Sequence, residues 1–147
     1  MKATPILLLG CGSLALAIAA AQQPATPKIQ NVPIQHTAVT SGTEMYSTYC
    51  AVCHGADGKG NGPAASSLKT HPADLTQLSK KNGGTFPSAH VASTLQFGVE
   101  NPAHGNKEMP IWGDLFQTLN TSARSTSGQT RLRISNLTDY LKTIQQK

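Results

Sequence analysis

The chain has 147 residues, a length typical of one domain and too short for a two-domain enzyme. Only 38% of the residues are hydrophobic, and there are 13 glycines and 9 prolines, so we expect many loops and a core completed by something other than side chains. The 12 basic and 7 acidic residues form no run of like charges, and the few aromatic residues do not alternate with lysine or arginine. These features argue against nucleic acid as a partner.

The first 21 residues predict a secretory signal peptide. Lys2 supplies a positive start, residues 6–21 form an apolar stretch shorter than a membrane helix, and the stretch ends in three alanines. We expect cleavage after Ala21, which removes Lys2 and leaves 11 basic against 7 acidic side chains, a charge of about +4. The alternatives are a lipoprotein signal acylated at Cys11 and an uncleaved membrane anchor.

The rest of the chain predicts an extended, proline-containing arm over residues 22–41 and one domain over residues 42–147. The first helix is expected from Gly42 or Thr43 to Cys53, with Thr43 as its cap and Gly55 at its end. Shorter helices are expected at 74–81, 88–97 and 114–119.

The last helix carries the clearest apolar stripe, with Arg131 and Arg133 expected to lie off it; the stripe consists of Ile134, Leu137, Leu141 and Ile144. A Ser/Thr-rich insert covers residues 120–130. Residues 55–63 and 98–113 form long loops, and no pair of strands is evident. The prediction is an all-α domain of three to five short helices whose long loops surround a site.

Residues 50–54 read Cys-Ala-Val-Cys-His, the pattern of c-type haem attachment. Positions three and four apart share one face of a helix, so the thiols of Cys50 and Cys53 can reach the two vinyl groups of one porphyrin while His54 projects to the iron. A redox dithiol would require a preceding strand in a parallel sheet, and structural zinc would require four ligands. We therefore expect one covalent haem c, with His54 as the proximal iron ligand.

Met109 is the predicted distal ligand of the iron. Met1 leaves with the signal peptide, and Met45 lies on the same helix as the motif and cannot reach the opposite face of the porphyrin. Pro110 restricts the backbone of Met109 to extended conformations, which stiffens the loop that aims its sulfur. The alternative is a histidine as the distal ligand, from among His36, His71, His90 and His104.

With these motifs the chain resembles the class I, monohaem bacterial cytochromes c. The matching segments are 49–55, 57–63, 109–113 and 136–141. The resemblance implies a cytochrome c fold in which Gly42 lets the first helix approach the last one closely, against Tyr140. It also implies that the carbonyl of Pro63 accepts the Nδ1 proton of His54, a contact that fixes the ring.

Together, these features predict a periplasmic one-electron carrier without enzyme activity, because a doubly ligated iron leaves no open position for a substrate. The alternatives are a gas-binding or peroxidatic haem protein, and a haem subunit of a larger dehydrogenase or oxidase complex. We expect a monomer that is not embedded in the membrane and that meets acidic redox partners through Lys59 and Lys107. Trp112 and Pro63 are expected beside the haem, and the apolar pocket and core are expected to include Leu68, Leu75, Val91, Leu95, Phe97, Ile111, Trp112, Phe116 and Leu137.

Overall fold

A computed structural model describes residues 34–98, 109–119 and 126–146, and these residues form helices and no strands. The all-α prediction is therefore confirmed. The predicted signal peptide, the arm up to residue 33, His104, Lys107 and residues 120–125 of the insert lie outside the described residues. Within the described ranges, no helix is both long enough and apolar enough to cross a membrane.

The first helical run follows the predicted range but differs in detail. It consists of α1 (Gly42–Met45), a π-helical turn (Tyr46–Cys50) and α2 (Ala51–His54). The predicted cap was wrong: the Ser41 side chain, not Thr43, accepts a 3.1 Å hydrogen bond from the amide of Glu44. The π-helical turn was not predicted; π-helical turns inside α-helices often mark functional sites.

The later helices lie near their predicted positions. A 3₁₀ turn (Ala65–Ser67) follows the glycine-rich loop, and a second one (Leu75–Gln77) leads into α3 (Leu78–Lys81). Helix α4 (Ser88–Phe97) has the predicted bounds. Helix α5 (Trp112–Thr118) begins two residues before the predicted start, and α6 (Thr126–Thr143) includes residues 126–130 of the predicted insert.

Helices α1 and α6 cross at Gly42. A Cβ atom on Gly42 would lie 2.2 Å from the carbonyl oxygen of Asn136 and 2.8 Å from Cβ of Tyr140, so only glycine allows this approach. The ring of Tyr140 also packs against Tyr46, with 5.1 Å between the ring centroids. The expected close approach of the first and last helices is therefore confirmed.

The core lies between the first helical run and helices α4, α5 and α6. Its buried apolar residues are Met45, Tyr46, Tyr49, Cys50, Val91, Leu95, Trp112, Phe116, Leu119, Ile134, Leu137 and Leu141. Phe97, which was expected in the haem pocket or core, does not belong to this core: its side chain is 66% exposed, because it lies two residues and about 200° around α4 from Leu95. Ile111, which directly precedes α5, is also exposed.

Arg133 is a larger departure from the sequence prediction. It is only 3% exposed, although it was expected on the solvated side of the last helix. The sequence held a signal for this, because Arg133 precedes Leu137 by four residues and such pairs share a helix face. The guanidinium donates to Thr37, which belongs to the end of the predicted arm.

Residues 34–41, the described part of the predicted arm, contain no helix and pack closely on the domain. Thr37 is buried, the Tyr49 hydroxyl donates to the carbonyl of Gln35 at 2.5 Å, and Asn136 donates to the carbonyl of Val39 at 3.0 Å. These hydrogen bonds join the segment to both the first and the last helix.

Candidate haem site

The Cys-x-x-Cys-His motif spans the end of the first helical run. Cys50 is the last residue of the π-helical turn, and Cys53 and His54 are the last two residues of α2. Cys50 is buried, Cys53 is partly exposed, and the two do not form a disulfide. Burial, with a smaller contribution from Cys53, raises the pKa of Cys50 to about 12, and burial also raises the pKa of Cys53. Redox-active dithiols show the opposite shift, towards the thiolate. The thiols therefore do not have the environment of a reactive dithiol.

The hydrogen bond of His54 fixes which ring nitrogen can bind a metal. Nδ1 lies 2.9 Å from the carbonyl oxygen of Ala73. A carbonyl can only accept, so Nδ1 carries the proton and Nε2 keeps its lone pair. Burial lowers the pKa of His54, opposed by this hydrogen bond, and the net shift favours the neutral ring that a metal requires. The donor set of two thiols and one oriented imidazole thus fits a c-type haem.

The acceptor of this proton differs from the expected one. The family resemblance implied the carbonyl of Pro63, whereas the structure has that of Ala73. Pro63 is exposed, and its neighbours bond to the end of the helix: the amides of Gly62 and Ala64 donate to the carbonyls of Cys53 and Val52. A backbone carbonyl thus accepts the Nδ1 proton as expected, but it belongs to Ala73, ten residues after Pro63.

The glycine-rich loop completes the end of α2. The last carbonyls of a helix have no partner within the helix. Here the amides of Gly60, Gly62 and Ala64 donate to the carbonyls of His54, Cys53 and Val52 at 2.7, 3.1 and 2.9 Å, as the loop folds back along the helix. This loop thereby holds the backbone of the motif in one position.

Gly62 allows this contact because it has no side chain. A Cβ atom there would lie 2.5 Å from the carbonyl oxygen of Val52 and 2.6 Å from that of Ala51. The loop is held from its other side as well, since the Tyr46 hydroxyl donates to the carbonyl of Gly55 at 2.7 Å and the amide of Leu75 donates to that of Gly58 at 2.7 Å. The glycines of this loop thus let it pack closely against the helix backbone, in addition to letting the chain turn.

Met109 and Trp112 lie together at the start of α5. Met109 is partly buried against the core. Trp112 is 7% exposed and belongs to an aromatic cluster with Tyr49 and Phe116, in which the ring centroids are 5.6 to 5.8 Å apart. Because Tyr49 directly precedes Cys50, this cluster connects the start of α5 to the motif. The contact of Trp112 with a haem stays a prediction.

The other candidate ligands have ordinary environments. Met45 is fully buried in the core, as its position before the motif required. His36, His71 and His90 are exposed, and His71 Nδ1 lies 2.9 Å from the carbonyl of Pro72. No group of three or more histidine, cysteine, aspartate or glutamate side chains that might hold a metal ion occurs among the described residues. Ala73, by contrast, carried no sequence signal, since any residue supplies a backbone carbonyl.

A comparison with known families agrees with this geometry. The site defines a c-type cytochrome, in which a covalently bound haem iron transfers electrons. Residues 37–120, more than half of the chain, match the family described as cytochrome c oxidase, cbb3-type, subunit III, and the chain belongs to this family. Searches of curated proteins and of solved structures gave no match. The resemblance inferred from the motifs is thus confirmed.

Proposed function

We propose that this chain is a periplasmic one-electron carrier with a single haem, attached through Cys50 and Cys53 and ligated by His54 and Met109. The haem iron supplies the chemistry when bound, a reversible one-electron change. The observation that carries this proposal is the hydrogen bond from His54 Nδ1 to Ala73, because it leaves Nε2 free to bind iron beside two attachment thiols. No acid, base or nucleophile is needed for electron transfer.

Met109 is favoured as the second axial ligand by its place in the chain and by its packing. It is partly buried against the core and directly precedes Pro110, so its backbone is stiff where its sulfur must be aimed. A thioether favours ferrous iron and raises the reduction potential, whereas a second imidazole lowers it.

Two exposed apolar side chains support a haem-binding surface near Met109. Phe97 and Ile111 are 66% and 43% exposed, and Gly98, next to Phe97, approaches the Ile111 side chain so closely that a Cβ atom on it would lie 3.2 Å away. A haem that covered both side chains would remove their apolar surface from water, which is favourable. We propose that they cover part of the porphyrin, together with Trp112 and the Pro63 segment.

Visible spectroscopy with two matched variants tests the axial ligands. A pyridine haemochrome measurement on the wild type should give one haem per chain with both vinyl groups saturated. Met109→Leu removes only the sulfur and nearly conserves volume, so we expect attached haem, a lower potential and carbon monoxide binding in the ferrous state. Met45→Leu changes a buried methionine in the core and should leave the wild-type spectrum. An unchanged spectrum in Met109→Leu would assign the distal position to a histidine.

Fractionation and mass measurement of the mature chain test export. A periplasmic protein that begins at Gln22 is the expected product of the predicted cleavage after Ala21. A membrane-bound protein that begins at an acylated Cys11 would instead show the lipoprotein alternative.

A haem subunit of an oxidase complex is the second candidate, and the family match favours it, since that family is described by an oxidase subunit. The chemistry at the haem is the same in both cases, and only the permanence of the partner differs. Purification from the native host in mild detergent separates them. A stoichiometric complex supports the subunit role, and a monomer free of other proteins supports the mobile carrier.

A further inference from the structure

Arg133 is a buried cation without a counter-ion among the described residues. Its Nη1 and Nη2 atoms donate to the hydroxyl and the carbonyl of Thr37, each at 2.9 Å, and its buried Nε has no partner. The ion pair that the described residues form is Lys59–Asp57, on the surface. Burial of a charge without an opposite charge is costly, because hydroxyl and carbonyl dipoles replace only part of the lost hydration.

The position of this cation connects it to the haem site. The guanidinium carbon lies 5.8 Å from the ring centroid of Phe116, and Phe116 lies 5.8 Å from the ring of Tyr49, the neighbour of Cys50. The Tyr49 hydroxyl also lies 3.0 Å from the same Thr37 hydroxyl that receives the Arg133 hydrogen bond. A buried network thus joins the positive charge to the residue that precedes the first attachment cysteine.

We propose that Arg133 raises the reduction potential of the haem through its buried positive charge, which has no counter-ion among the described residues. The proposal rests on the proposed haem attachment at Cys50 and Cys53, and it is independent of which residue fills the distal position. The sign follows from charge: the oxidised centre is one unit more positive than the reduced one, so a nearby cation disfavours oxidation. Guanidinium groups keep their proton in proteins, and burial limits screening by salt.

The expected size follows from Coulomb's law. At an effective dielectric constant of about 20, a unit charge at an assumed separation of about 10 to 15 Å from the iron would change a one-electron equilibrium constant by roughly six- to seventeen-fold. We therefore expect Arg133→Met to decrease the ratio of reduced to oxidised protein several-fold at a fixed solution potential.

Spectroelectrochemical titration of the haem-loaded variants tests the proposal. Arg131→Met is the matched control, because Arg131 is exposed two residues earlier on α6, and it should leave the ratio close to that of the wild type. Arg133→Lys keeps the charge but not the paired hydrogen bonds, so it should restore most of the wild-type potential even where it lowers the unfolding temperature. A purely structural role predicts that Lys and Met shift the potential alike.

A second variant covers the case in which Arg133→Met fails to fold. Thr37→Asp keeps the arginine and places a carboxylate at its hydrogen-bonding partner, which neutralises the charge where it lies. It should lower the potential in the same direction as Arg133→Met. The proposal is overturned if Arg133→Met or Thr37→Asp retains the wild-type potential, or if Arg133→Lys lowers it as much as Arg133→Met. Failure of the haem-attachment premise is a separate result, visible as a negative pyridine haemochrome measurement on the wild type.

Discussion

Replacement of Gly42 by alanine tests the close contact between the first and last helices at this residue. The added Cβ would lie 2.2 Å from the Asn136 carbonyl oxygen and 2.8 Å from Cβ of Tyr140. Ordinary contacts are about 3.5 to 4.0 Å, so the helices must separate by roughly 1 Å. The nearest atom belongs to the backbone of α6, which a change of side-chain rotamer cannot move.

Two opposing effects determine how much the free energy of unfolding changes. Overpacking of a tight contact destabilises by about 1–3 kcal/mol, and the better helix propensity of alanine offsets at most about 1 kcal/mol. The middle of the overpacking range, about 2 kcal/mol, less an offset of up to about 1 kcal/mol, gives an expected decrease in the free energy of unfolding of about 1–2 kcal/mol for Gly42→Ala. For a domain of this size the melting temperature should fall by about 4 to 8 °C.

Guanidinium unfolding of the ferric protein, followed by circular dichroism, measures the effect. Gly128→Ala is the control, because Gly128 lies in α6 with nothing within 4 Å of its added Cβ. That variant should be as stable as the wild type or up to about 1 kcal/mol more stable. The reasoning is wrong if Gly42→Ala is as stable as the wild type, or if both variants lose the same amount.

Two further predictions concern the loop after the motif. Burial raises the pKa of Tyr46 from about 10 to about 12, so the unfolded chain loses this proton at a lower pH than the folded protein does. Stability should therefore fall as pH rises from about 10 to 12. The Tyr46→Phe variant should show no such pH dependence. At pH 7 its free energy of unfolding should be about 1 kcal/mol lower, because the hydrogen bond to Gly55 is missing. Equal pH profiles for the variant and the wild type would contradict this. Lys59 is paired with Asp57 at 3.3 Å, so if this loop meets an acidic partner, Lys59→Glu should slow stopped-flow electron transfer at low salt and Asp57→Asn should speed it. Salt-independent rates in both variants would place the partner elsewhere.

The sequence predicted those parts of the fold that local patterns encode. Helix α4 has its predicted bounds because Val91 and Leu95 are spaced for one buried face and Gly98 follows its end. The motif, its helix and the loop after it were likewise predictable, since each depends on neighbouring residues.

Contacts between distant segments were not predictable in this way. The bond from His54 to Ala73 spans 19 residues and uses a carbonyl that every residue type has. The burial of Arg133 depends on Thr37, 96 residues earlier in the chain, which satisfies part of its hydrogen bonding. A single sequence records neither partner, so the spacing of Arg133 and Leu137 was not enough to move this arginine from its expected place off the apolar stripe.

The orientation of the motif therefore depends mainly on backbone groups. The Ala73 carbonyl sets the proton of His54, and the amides of Gly60, Gly62 and Ala64 hold the carbonyls at the end of α2. Backbone groups are the same in every residue, so side chains around the site can change without moving His54, except at Gly62, where a Cβ atom would clash, and at Tyr46, whose hydroxyl holds the loop. What such changes alter is the surrounding charge, and the charge that the described residues bury is that of Arg133. With haem attached as proposed, the main chain would thus orient His54, and the buried charge of Arg133 would act on the potential.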